Sequence, residues 1–164
     1  MTGTMDEILD DLEDTQKGRY LIFTVGEEDY GIAIGQVTEI IGIQEITAVP
    51  ELPNYMIGII NLRGKIIPVM DMRRRFKLEP REYTNRTCII VVNIREIAIG
   101  LIVDQVLEVL RIDDADLAPP PEVKSGFHNR YVQAIGKAGD GVKLLLNCDQ
   151  LLADNELTPL EQAT

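Results

Sequence analysis

From Arg19 onward the chain is a succession of short apolar runs separated by polar punctuation, a spacing that predicts strands rather than helices. Tyr20–Val25 alternates, Gly26-Glu27-Glu28-Asp29 reads as a polar turn, and Tyr30–Ile34 returns as a second strand. Gln36–Ile41 fits either a helical turn or a strand, and Pro50, Pro53 and Asn54 then mark a loop. Thr87–Ile94 is almost continuously apolar, as expected of a strand covered on both faces, and Ile97–Val103 follows across Arg95-Glu96. Tyr131–Gly136 and Val142–Leu146 form a further hairpin about Gly139-Asp140-Gly141.

The chain is organised around Gly58–Asp71. Two apolar runs flank Arg63-Gly64, a pair that can only be a tight turn, with Gly64 supplying a positive φ. That turn lifts the Arg63 guanidinium off an otherwise apolar hairpin. Pro68 cannot donate to a ladder, so it is expected on an edge or at a bulge. Asp71 is placed to cap a short helix over Met72–Phe76, and Asp149 to cap one beginning Gln150-Leu151-Leu152. Thr158-Pro159-Leu160-Glu161 is a capping-box pattern for a last turn.

The second half repeats the first. The run Tyr30–Ile40 aligns with Ile99–Val109 at a constant offset of 69 residues, from Gly31 to Gly100 and from Gln36 to Gln105. Ile67–Asp71 aligns with Leu145–Asp149 at an offset of 78, which puts extra residues in the second unit around Pro119-Pro120-Pro121. Each unit holds about five strands, and closing each into a small barrel removes the exposed edges. The expected layout is an acidic tail over 1–17 and one domain over 18–152, with the clearest strands in 18–34 and 87–148. A first barrel is expected over about 18–76, a second over about 85–148, and a helical segment over 149–164. The groove between two such barrels is a natural partner site.

Charge narrows the function. Twenty-seven acidic residues against 16 basic ones give a net charge of -11, which disfavours nucleic-acid binding and anionic membrane surfaces. No apolar run approaches the length of a membrane span, and no secretory leader is present, so a cytoplasmic protein is expected. In that setting Cys88 and Cys148 read as reduced, buried and inert. Catalysis lacks material: His128 is the sole histidine and sits in a polar loop, and no phosphate-cradling glycine loop or zinc-ligand spacing occurs. Arg73-Arg74-Arg75 reads as one solvated face of a helical turn. What remains is a non-enzymatic binding module without metal or cofactor. Its surface would combine exposed apolar residues with charge, and Val37, Ile40 and Ile41 beside Glu39, with the Arg63 turn, fit that description.

Three motifs carry a resemblance: Tyr-Gly-Ile-x-Ile followed by Val-x-Glu-Ile (Tyr30 to Ile40), Gly-x-x-Asn-Leu-Arg-Gly-x-Ile-x-Pro-x-x-Asp (Gly58 to Asp71), and Gly-Leu-Ile-Val-Asp-x-Val (Gly100 to Val106). From Arg19 to Leu152 the chain resembles CheW, the bacterial chemotaxis adaptor family. The resemblance implies an all-β fold with short helices, built as two intertwined five-stranded SH3-like β-barrels. It also implies a scaffold that joins the cytoplasmic tips of chemoreceptors to the histidine kinase CheA and is thereby recruited to membrane-associated arrays. The receptor-facing residues it implies are Val37, Glu39, Ile40, Gly58, Arg63 and Val109, with Gly58 acting by permitting close approach. It leaves the kinase-binding residues unassigned. Alternative readings are a CheW-like scaffold of a non-chemotactic array and a small-barrel nucleic-acid-binding protein.

Overall fold

The computed structural model describes residues 17–120 and 130–152. The acidic tail, His128, the Thr158–Glu161 pattern and most of the 149–164 segment lie outside the described residues. Among the described residues there are eleven strands: β1 Arg19–Val25, β2 Glu28–Ala33, β3 Val37–Gly42, β4 Met56–Leu62, β5 Lys65–Asp71, β6 Cys88–Ile94, β7 Ile97–Val103, β8 Gln105–Arg111, β9 Leu117–Ala118, β10 Val132–Ala138 and β11 Gly141–Leu146. One helical turn, α1, spans Met72–Arg75. The ambiguous stretch before β3 resolves as a 3-10 turn at Ile34–Gln36 followed by strand.

The strands form two sheets, ordered β8-β1-β2-β11-β10-β9 and β3-β6-β7-β5-β4. The second closes where the chain beyond β3 returns to β4: Thr47 and Ile59 exchange backbone hydrogen bonds, both 2.9 Å. The expectation of two intertwined barrels holds, but the division at 18–76 and 85–148 does not describe them. The β1–β2 hairpin lies in the sheet with β8–β11, and the β6–β7 hairpin lies in the sheet with β3–β5. Each barrel therefore takes its first hairpin from one repeat and its remaining strands from the other.

The repeat is visible in the register. Gly31 of β2 faces Leu145 of β11 in a parallel pair, and Gly100 of β7 faces Val69 of β5 in another. The bulge of β1 on β8 falls between Ile22 and Phe23, and that of β6 on β3 falls between the equivalent Val91 and Val92. The offset of the later hairpins is 76, however, not 78. Val69 corresponds to Leu145, and Asp71 corresponds to Asn147 rather than Asp149. Backbone hydrogen bonds decide this: Asp71 N–H donates to Tyr55 and Asn147 N–H donates to Tyr131, each at 2.8 Å. Accordingly Asp71 caps α1 by accepting from Arg73 N–H at 2.9 Å, and Asn147, not Asp149, caps the 3-10 turn Cys148–Leu151.

Pro68 is on neither an edge nor a bulge. It lies in the interior strand β5, opposite Ile59, one residue before β7 begins to pair at Val69, so no second ladder is needed there. The β6 strand is covered on both faces as predicted. Ile90, Val92 and Ile94 enter a core that joins the two barrels, while Ile89 and Val91 fill the interior of their own barrel.

The triple arginine is a correction. Only Arg74 stays at the surface; Arg73 and Arg75 are buried. The Arg75 guanidinium lies 3.9 Å from the Tyr55 ring centre and 5.1 Å from that of Tyr131, its repeat counterpart. Burial pulls its pKa below the usual arginine range. Cys88 and Cys148 are unpaired, but only Cys148 is fully buried, and Cys88 is half-buried. Cys88 is therefore not the enclosed residue the sequence suggests, because it opens β6 at its exposed end.

Candidate functional site

Barrel closure places the β4–β5 turn beside β3. Leu62 pairs with Lys65, leaving Arg63-Gly64 as a two-residue loop in which both residues have positive φ, 53° and 86°. Asn61 supports the loop by accepting from Gly64 N–H at 2.8 Å. The left-handed conformation at Arg63 points its side chain outward, where it is 69% exposed, and its Nη2 donates to Glu39 Oε2 on β3.

Along β3 exposure alternates, with Thr38, Ile40 and Gly42 outward and Val37, Glu39 and Ile41 half-buried. Val37 packs against the joint core and Ile41 against the barrel interior. An ion pair, an outward isoleucine and the edge of a strand with one neighbour thus share one corner of the molecule. Such a corner offers charge-assisted hydrogen bonds beside apolar contact, which suits a protein partner rather than a reacting small molecule.

The other two expected residues sit differently. Gly58 is buried, and a Cβ there would lie 2.2 Å from the Thr47 carbonyl oxygen. The close approach it permits is that of its own chain, at the bridge that shuts the barrel. Val109 lies on β8 in the other barrel, opposite Leu21, at the position equivalent to Ile40. The two are 48% and 42% exposed, so they are matching points on two edge strands rather than neighbours in one patch.

Sequence reasoning missed Ile66, which is 52% exposed next to the Arg63 turn, and its counterpart Val142, at 53%. In a run as uniformly apolar as Lys65–Asp71 only alternation could have singled out the outward residue. It also missed Asp104 as a binding centre. Its Oδ1 and Oδ2 accept from Arg73 Nε and Nη2 at 2.9 and 2.8 Å, and Oδ2 also accepts from Gly26 N–H at 2.9 Å. Burial raises the Asp104 pKa, but the Arg73 and Gly26 hydrogen bonds and the charges of Arg73 and Arg81 outweigh it, holding the carboxyl below its ordinary value.

Comparison with known proteins places this fold. A family model for the CheW-like domain matches residues 19–156. The chain belongs to the CheW family. It is 34% identical to the chemotaxis protein CheW of Klebsiella aerogenes over 138 residues, covering 84% of this chain and 83% of the relative. It is also 34% identical to the probable chemotaxis protein CheW of Rhizobium etli over 142 residues, covering 86% and 92%. Among solved structures it resembles the scaffolding protein TtCheW of Thermoanaerobacter tengcongensis, with a TM-score of 0.78, 38% identity, and coverage of 85% of this chain and 94% of that one. The family match runs across both barrels.

Proposed function

We propose that the protein is a non-catalytic chemotaxis adaptor that couples the cytoplasmic tips of chemoreceptors to the histidine kinase CheA, and so brings the kinase under receptor control. Family membership across nearly all of both barrels supports this reading, as do the chemotaxis and scaffolding names of the relatives. The observation that carries the receptor site is the outward Arg63, seated on a two-residue turn against Glu39 and flanked by Ile40 and Ile66. In this reading a receptor's helical hairpin docks between the barrels, touching Val37, Glu39, Ile40 and Arg63 on one side and Val109 on the other, with Gly58 shaping the wall behind. CheA binds elsewhere, through its regulatory domain. Recruitment to receptor arrays is by these contacts. No helix among the described residues is long and apolar enough to cross a membrane.

The test is reconstitution. Receptor-containing vesicles, purified kinase and this chain are combined, and kinase autophosphorylation is followed with and without attractant. Kinase activity should become receptor-dependent only when the chain is present. A chain that binds neither a receptor-tip fragment nor the kinase regulatory domain in titrations would sink the reading.

A further inference from the structure

Among the described residues the chain passes between the two sheets twice: from β2 to β3 through Ile34-Gly35-Gln36, and from β7 to β8 through Asp104 alone. By the 69-residue offset Gly35 and Asp104 are the same position in the two repeats. Gly35 itself has no side chain to grip a neighbour, and a Cβ built there would meet nothing within 4 Å, while Ile34 beside it packs against the joint core. The crossing at Asp104 is fastened on several sides. Its carboxylate takes both ends of the Arg73 fork and the Gly26 N–H of the β1–β2 turn, and its own N–H donates to Thr24 at 3.0 Å. Arg73 in turn donates Nη1 to the Glu79 carbonyl at 2.9 Å, which binds the linker between the repeats to the same point.

We infer that Asp104 is a one-sided latch between the barrels: it fixes the angle at which they meet, and the unlatched crossing at Gly35 is where that angle changes when the latch is open. A single residue joining two sheets is a natural pivot, and beyond the packing of the joint core the grip of its side chain is what holds it at one angle. Asp104 grips α1, which follows β5 of one barrel, and the turn of a hairpin belonging to the other. The inference deepens the adaptor reading, because the angle sets the spacing between the Arg63 corner and Val109. Asp104 is thus a positioning residue for receptor docking and touches no partner itself.

Spin labels at Ile66→Cys and Val142→Cys, exposed repeat-equivalent sites on the two barrels, report the angle as a distance distribution in the full chain carrying Cys88→Ser. The expected result is a narrow distribution in the latched protein, a broad or displaced one in Asp104→Ala, and return to narrow in Asp104→Glu, which can still grip Arg73. Asp104→Asn keeps the shape but loses the charge-assisted fork, so it provides the same reading if the alanine variant does not fold. Unlabelled Asp104→Asn should bind a receptor-tip fragment about tenfold more weakly, with kinase-domain affinity changed less. An unchanged distance distribution in whichever of Asp104→Ala and Asp104→Asn folds overturns the latch. A broadened distribution in a chain whose latched form never bound receptor would instead keep the latch and remove the adaptor reading.

Discussion

Set side by side, the two repeats share strand order and register, and several of their differences fall where one has a charge and the other does not. The first ends its hairpin in Arg63 against Glu39; the second has Gly139 at the equivalent turn, and Glu108 stands where the first has Glu39. The first buries Arg75 between two tyrosines, where the second buries Leu151. At the sheet crossing the order reverses, with Gly35 in the first repeat and Asp104 in the second. The apolar pattern, by contrast, is matched: Ile40 with Val109 and Ile66 with Val142 are exposed alike. The exposed apolar pattern is thus shared by the two repeats, while charge has diverged between them.

The sharpest way to break the comparison is at Gly58 and its counterpart Ala134. Gly58→Ala forces a Cβ to 2.2 Å from the Thr47 carbonyl oxygen, which accepts from Ile59 N–H in the closing bridge, so the bridge must open. It should destabilise the fold by about 3 kcal/mol or more, whereas Ala134→Gly should cost about 0.5–1 kcal/mol. Equal midpoint shifts in denaturant melts would mean that the two barrels close in the same way after all.

Next comes Arg63. Arg63→Ala should leave stability within about 0.5 kcal/mol and weaken receptor-tip binding about tenfold, or 1.4 kcal/mol. Arg63→Gly should lose the same affinity while gaining up to about 1 kcal/mol of stability, because the residue's φ is 53°. Glu108→Ala, at the site without an arginine, should change affinity by less than about threefold. A variant at Arg63 that melts early, or loses receptor and kinase equally, would show that the arginine is structural.

A smaller effect separates the two crossings by pH. The folded Asp104 carboxyl titrates below its ordinary value of 3.8, so its stabilisation is fully present above that value and fades as pH falls through the folded one. Asp104→Asn should therefore flatten the acid limb of the stability curve, while Gly35→Ala should leave its shape alone. Two curves of equal steepness would leave the latch without its charge.

The smallest contrast is kinetic. Cys148, buried first and then set beside Asp149, has its thiol pushed up to about 12 and should resist labelling until the protein unfolds. Half-buried Cys88 should label in the native state. Protection of both thiols alike would mean that the start of β6 is better covered than its exposure indicates.

Much of this was legible in the residues. Hairpins bounded by Arg63-Gly64, Arg95-Glu96 and Gly139-Asp140 follow from turn chemistry and alternation, which are local. The repeat was legible too, because Gly31 and Gly100 stand where parallel strands crowd a neighbouring side chain. The exchange of hairpins was not, since strand pairing between residues far apart leaves no local trace. The second offset is two residues off in the sequence pattern because Asp149 offers a capping carboxylate, while the backbone bonds accepted by the Tyr55 and Tyr131 carbonyls, which set the register, involve no side chain. Arg73 and Arg75 were misplaced for a related reason: a run of cations reads as surface until its partners, Asp104 and two tyrosines distant in sequence, are known.

The exchange of hairpins also dictates an order of assembly at the ribosome. The barrel of β3–β7 is contiguous in the chain, from Val37 to Val103, and its strands can pair as soon as that stretch has emerged. The β1–β2 hairpin is made first yet completes its sheet last, because β8 and β11 are the final strands it needs. Its ladders to β8 and β11 stay unpaired until those strands emerge, and its apolar face, with Leu21, Phe23, Tyr30 and Ile32, has only the first barrel's Ile90, Val92 and Leu101 to pack on. During that interval it is the segment most exposed to chaperones, to proteases and to the same hairpin of a neighbouring nascent chain.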